Sequence, residues 1–156
     1  MTANRLSAWA LAVALTAGST PALACDMAPP ASEAGAAERV RNYQAALWAR
    51  SDVIFLSEAS AFERIELGGG DGFSATLAPS LAFKGDLPAE RIAIRHTTFT
   101  SCGPIPFLHA LSGHEGEWFV TYGRYVSSGL SIDATIPVAD LIDEEALRAW
   151  RKADPG

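Results

Sequence analysis

Phe73-Ser74-Ala75-Thr76-Leu77-Ala78-Pro79-Ser80-Leu81-Ala82-Phe83-Lys84 is the stretch on which the fold turns. Leu77, Leu81 and Phe83 fall on one face, and Thr76, Ser80 and Lys84 on the other. That period of two is the mark of a half-buried strand. Pro79 cannot donate to a ladder, so it asks for an edge position or a bulge. Upstream, Gly68-Gly69-Gly70-Asp71-Gly72 reads as a hairpin turn, because it lacks the Lys-Ser/Thr of a phosphate loop and opens no helix. Before it, Val53-Ile54-Phe55-Leu56 is β-branched and aromatic. It predicts a strand over 52–60, with room to extend through Phe62 and Ile65. Downstream, Gly85-Asp86 turns the chain and Arg91-Ile92-Ala93-Ile94-Arg95 alternates again. Glu117 to Gly123 predicts another strand, with Trp118, Val120 and Tyr122 on one face. A further strand is expected over about 124–136, broken near Ser127-Ser128-Gly129.

Helical periodicity flanks these strands. Over 36–50, Val40, Tyr43 and Leu47 recur at helical spacing, while Arg39, Arg41 and Gln44 lie off that stripe. A closing helix is expected from about Asp140 to Lys152. Its first turn is acidic (Asp140, Asp143, Glu144, Glu145) and its last basic (Arg148, Arg151, Lys152), which complements the helix dipole. Leu141, Leu147 and Trp150 are its expected core contacts. Short strands between turns, with one helix at each end, predict a mostly-β antiparallel barrel or sandwich. No internal repeat and no dividing linker interrupts it, so residues 25–156 are expected to form a single domain.

The first 24 residues read differently. Arg5 precedes a short apolar run from Ala8 to Ala17, and Ala22-Leu23-Ala24 is a small-x-small cleavage site. Residues 1–24 are therefore expected to be a signal peptide, and the mature chain to begin at Cys25 in a secreted or periplasmic protein. The apolar run falls well below the roughly 20 residues of a membrane span. Lipid anchoring at Cys25 is the alternative, weakened by Ala22 standing where lipoprotein signals carry leucine. Both routes end in an oxidising compartment, where disulfides persist.

The whole chain has a formal charge of −6, and loss of Arg5 makes the remainder more acidic. Without a basic run, nucleic acid is a poor partner, since phosphate neutralisation supplies most of that affinity. Anionic lipid is a poor partner for the same reason. The two cysteines, Cys25 and Cys102, allow one pairing, which closes a loop of nearly 80 residues. Chain entropy makes such a bridge worth about 4–5 kcal/mol. It serves either as a staple alone or as a device that fixes the new amino terminus.

Other chemistry is sparse. His96, His109 and His114 show no metal-ligand spacing and read as surface or loop histidines. No serine sits in Gly-x-Ser-x-Gly. Glu63, Glu66 and Asp71 lie near a turn and read as solvated. The expectation is a protein without catalytic residues or cofactor.

In order along the chain, several segments resemble the netrin-like module, and within it the amino-terminal domain of the tissue inhibitors of metalloproteinases. Cys25 stands at the cleavage site, followed by a proline-bearing segment and a helix. Ala49-Arg50-Ser51-Asp52-Val53-Ile54 resembles the family's approach to its first strand, and Ala82-Phe83-Lys84-Gly85 the end of a middle strand. Ser101-Cys102-Gly103 resembles the Cys-Gly segment whose cysteine bonds the terminal one. Trp118-Phe119-Val120-Thr121-Tyr122 resembles the strand that follows. The resemblance spans most of residues 25–142. It implies a five-stranded oligonucleotide/oligosaccharide-binding (OB) barrel with flanking helices.

It also implies a binding wedge. Cys25 would chelate, in trans, the catalytic zinc of a metalloprotease through its amino and carbonyl groups. Asp26 would enter the pocket beside the metal, and Thr100, Ser101 and Cys102 would form the adjacent half. A catalytic zinc keeps an open position for such ligands, and an α-amino group with a pKa of about 7.7–8.0 is partly neutral near pH 7. The chain departs from the family at Cys25-Asp26-Met27, where Cys-x-Cys is usual, and near Ser131 to Ala134, where bacterial members often carry a further cysteine. A buried Asp26 carboxylate beside a catalytic glutamate works against tight inhibition. The leading expectation is thus a secreted protein-binding module, with zinc metalloprotease inhibition as the alternative. A carbohydrate- or peptide-binding barrel comes third.

Overall fold

The computed structural model describes residues 33–67, 70–97 and 107–153. Helix α1 (Glu33–Arg50) leads into β1 (Val53–Leu67), β2 (Gly70–Lys84) and β3 (Ile92–His96). A 3-10 turn (His109–Ser112) precedes β4 (Trp118–Val126) and β5 (Gly129–Pro137). A second 3-10 turn (Val138–Asp140) leads to α2 (Glu144–Ala153). The strands form one five-stranded sheet in the order β3-β2-β1-β4-β5, antiparallel throughout. The protein is mostly β, with two helices. No ladder joins β3 to β5 among the described residues, so the two remain the edges of the sheet.

The long β1–β2 hairpin is bent by three irregularities in register. Leu56 pairs with Leu81 and Ser57 with Pro79, which leaves Ser80 as the extra residue of a bulge. The β2–β3 ladder ends at Leu77 with Ile92, so Pro79 is also past the cover of β3. Both positions open to a strand proline are therefore used at once. A second bulge, between Ser60–Thr76 and Glu63–Ser74, places Ala61 at φ 52. The Ala61 N–H donates to the Glu115 carboxylate at 2.8 Å, holding this unusual conformation against the turn before β4. Bulges bend and twist a strand. Here they let β1 pair with β2 along its length and with β4 from Val53 to Glu58.

Alternation divides the core into two layers. On one face Ile54, Val120, Tyr122, Ala134 and Ile136 pack under the helices, with Leu47, Leu141 and Ala146. On the other, Ala59, Ala75, Leu77, Ile94 and Phe119 pack around Ala110 and Leu111 of the first 3-10 turn. Ser57 and Thr121 are buried and share a 2.7 Å hydroxyl hydrogen bond, which satisfies both.

Six details differ from the expectations. The Ser80 bulge turns β2 over, so Leu77 packs with the Phe119 cluster while Phe83, expected on the same face, packs against the cluster under the helices. The break near Ser127-Ser128-Gly129 is a full hairpin, and Tyr125 and Val126 belong to β4. Gly129, at φ +118, supplies the conformation a tight turn needs. Trp118 does not join Val120 and Tyr122 inside; it lies at the strand's first position and is 40% exposed. His96 is a strand residue only 7% exposed, and its Nε2 has no partner among the described residues. His109 and His114 are exposed as expected.

The remaining two concern the helices. Gln44, expected off the apolar stripe, is buried, while Val40 on that stripe is 45% exposed. The Gln44 Oε1 accepts from the N–H groups of Ile142 and Asp143 at 2.8 and 3.0 Å. Its Nε2 donates to the Asp140 carbonyl at 2.8 Å. A fully bonded amide tolerates burial, so it takes the place the stripe assigned to a hydrophobe. Helix α2 begins at Glu144 rather than Asp140, because Asp143 is its cap. The Asp143 Oδ1 accepts from the Glu145 and Ala146 N–H groups at 3.1 and 3.0 Å.

Candidate functional site

Three of the sequence segments singled out above meet at the carboxyl end of α1. Ser51 donates its Oγ and its backbone N–H to the Leu47 carbonyl. Lys84 reaches across from the end of β2 and donates its Nζ to the Trp48 carbonyl at 2.8 Å. Two helix-terminal carbonyls, which have no partner within the helix, are thereby satisfied. Gly85 follows at φ +69, and a Cβ there would lie 2.5 Å from the Asp52 carbonyl oxygen. Asp52 in turn donates its N–H to the Gly123 carbonyl and accepts from the Tyr125 N–H through Oδ2, each at 2.9 Å. The segments around Ser51-Asp52, Lys84-Gly85 and Tyr122-Gly123 thus form one welded joint. Glycine follows lysine there because no side chain fits.

The middle of α1 is different. Tyr43 stacks on Phe107, ring centroids 4.4 Å apart at 28°. Phe107 is the first described residue after 97, so this stack ties the middle of α1 to the returning chain. Around it lies a groove of about 480 Å³, which includes Ala37, Val40, Ile136 and Ile142. Val40 and Phe107, at 45% and 37% exposure, leave apolar surface uncovered there. His109 and Asp140 line it as well.

Burial pushes the Tyr43 phenol up to about 12; Arg50 opposes this and Asp133 adds to it. Burial likewise raises Tyr122, helped by the nearby Asp143 carboxylate and by Tyr43. Neither hydroxyl has a hydrogen-bond partner among the described residues. Both phenols stay protonated at neutral pH, and the groove offers apolar contact rather than charge. A second groove, of about 380 Å³, runs between α2 and the end of β2, with Trp48 and Phe83 beneath and Arg148 and Lys152 beside it.

The residues expected to form the wedge, Cys25, Asp26, Thr100, Ser101 and Cys102, lie outside the described residues, as does the Cys25–Cys102 pairing. Their described neighbours along the chain are Glu33, Thr97 and Phe107. The sequence reading missed the groove. Its only signals were Val40 at the start of the apolar stripe and an aromatic, Phe107, directly after Pro104-Ile105-Pro106. Among the described residues no group of three or more His, Cys, Asp or Glu is placed to hold a metal ion. No helix among them is long and apolar enough to cross a membrane. Compared with family models, with curated proteins and with solved structures, the chain matches none.

Proposed function

We propose that this chain is an exported, netrin-like module that binds another protein, built on an OB-type barrel closed between β3 and β5. An OB barrel is a five-stranded, partly open Greek-key barrel. The observed order leaves β3 and β5 as the strands whose approach would complete it. The packing supports this, because Ile92 of β3 and Ile132 of β5 pack against the same inner cluster.

The Tyr43–Phe107 stack carries the functional reading. It brings together the two chain segments that lead to the cysteines. Cys25 stands eight positions before Glu33, and Cys102 five before Phe107. An extended chain spans about 3.3–3.6 Å per residue, so both cysteines are within reach of a common point beside the groove. A disulfide there fixes the amino terminus of the mature protein beside residues 100–102, and the uncovered apolar surface lies next to it. Inhibition of a zinc metalloprotease through the Cys25 amino group is the sharper form of the same reading.

A photo-crosslinking residue at position 101 of the exported protein tests the binding surface, with position 80 on the exposed bulge as control. A discrete protein adduct from 101 alone is expected. Equal labelling from both positions, or retention on glycans in place of a protein adduct, contradicts the reading. The zinc form is tested with metalloprotease catalytic domains. Wild type should inhibit weakly or not at all, and Asp26→Thr should inhibit more strongly. Acetylating the amino terminus should abolish that gain. An Asp26→Thr protein without inhibition leaves binding that does not use the zinc.

A further inference from the structure

We infer that Thr135 positions the wall of the groove, by holding the chain of the first 3-10 turn hooked over the edge of β5. This deepens the reading above and rests on its choice of the groove as the binding surface. Thr135 lies between Ala134 and Ile136, which pack under the helices. Successive strand residues face opposite ways, so Thr135 points to the other face, where it is fully buried. The chain from Phe107 to Leu111 runs between these two faces. Phe107 stacks on Tyr43 on the helix side, and Ala110 and Leu111 are buried in the cluster on the other side. Because β5 is an edge strand, the crossing passes over its outer edge.

Thr135 holds the crossing. Its N–H donates to the Phe107 carbonyl at 2.7 Å, Leu108 bridges to it in parallel, and its Oγ1 accepts from the Ala110 N–H at 2.8 Å. The turn has no side-chain cap of its own. The Ala110 amide is one of the donors that a helical start leaves open, and the sheet supplies its acceptor from 25 positions away. Both residues are fully buried, so without Oγ1 the amide stays unpaired in an apolar cluster and the turn is released. Phe107 and His109 move with it, and both line the groove together with Ile136, the residue after Thr135. The shape of the groove is thus set from inside the sheet by a residue outside its lining. The hook also occupies the edge of β5 at Thr135, where a partner strand could otherwise pair. Recognition there falls to side chains that fill the groove.

The ring resonance of Tyr43, assigned by its loss in Tyr43→Phe, reports the stack without any partner present. Failure here is therefore distinct from failure of the binding reading. Phe107→Ala gives the unstacked position of that signal. Thr135→Val keeps the shape and removes the acceptor, and it should move the Tyr43 signal at least half of the way to the unstacked position. Thr135→Ser keeps a hydroxyl and should leave the signal near that of wild type. Ile94→Val perturbs the same inner cluster without touching the hook and should not move it. An unmoved signal in Thr135→Val overturns the inference, and so does an Ile94→Val protein that moves it as far. A Thr135→Ser protein that behaves like the valine variant overturns it too. Should Thr135→Val fail to fold, amide exchange in the wild type decides. The Ala110 and Thr135 amides should exchange at similar rates, as parts of one cooperative unit. An Ala110 amide more than about tenfold faster overturns the hook.

Discussion

The carboxyl end of α1 and its middle are built on opposite principles. At the carboxyl end, Leu47 is fully buried, the last carbonyls are capped by Ser51 and Lys84, and Gly85 is pressed against Asp52. At the middle, Val40 and Phe107 stay partly uncovered around one stacked pair. Stability should be concentrated at the first, while surface for recognition is kept at the second. The joint carries the argument for the fold, and the groove carries the argument for binding.

Substitutions on the same helix sharpen the contrast. Leu47→Ala should lower unfolding free energy by about 2–5 kcal/mol, as buried leucines do. Val40→Ala should change it by no more than about 0.5 kcal/mol, as surface sites do. Denaturant titration compares them directly, and equal costs would erase the distinction. Gly85→Ala comes next, since a left-handed backbone alone costs about 1–3 kcal/mol and the Cβ meets the Asp52 carbonyl.

Gln44→Leu keeps bulk and removes three hydrogen bonds. It should cost about 1–3 kcal/mol through the buried N–H groups it abandons. Hydrogen exchange should show the loosening at Ile142 and Asp143 first. The smallest effect belongs to Tyr43. Its phenol is raised from 10.0 to about 12 in the folded protein. A raised pKa means the folded state holds the proton more tightly, so the stability it contributes is complete below pH 10 and is lost as pH rises toward 12. Absorbance titration of Tyr43→Phe against wild type should reveal a missing late-ionising phenol.

The strands were legible in the sequence because a covered sheet face imposes alternation, but the bulge at Ser80 turns β2 over, so Leu77 and Phe83, expected on one face, pack in different clusters. The two-residue turn at Ser127-Ser128 was harder. Serines break a pattern without saying whether the chain reverses, and Gly129 alone carried that signal. The burial of Gln44 was illegible, because its three partners come from the segment before α2, far away in sequence. The groove was hidden for the same reason, since Val40 and Phe107 become neighbours only when α1 lies beside the returning chain. The cysteines were the reverse case. Their chemistry could be read from the sequence, but the space between Cys25 and Cys102 could not.

The most direct test of the proposal is therefore the covalent state of the protein after expression from the full sequence. Intact mass together with non-reducing peptide mapping should find a chain that begins at Cys25, carries no lipid and is linked from Cys25 to Cys102. A different amino terminus, or two thiols that label freely in the native protein, would contradict the account.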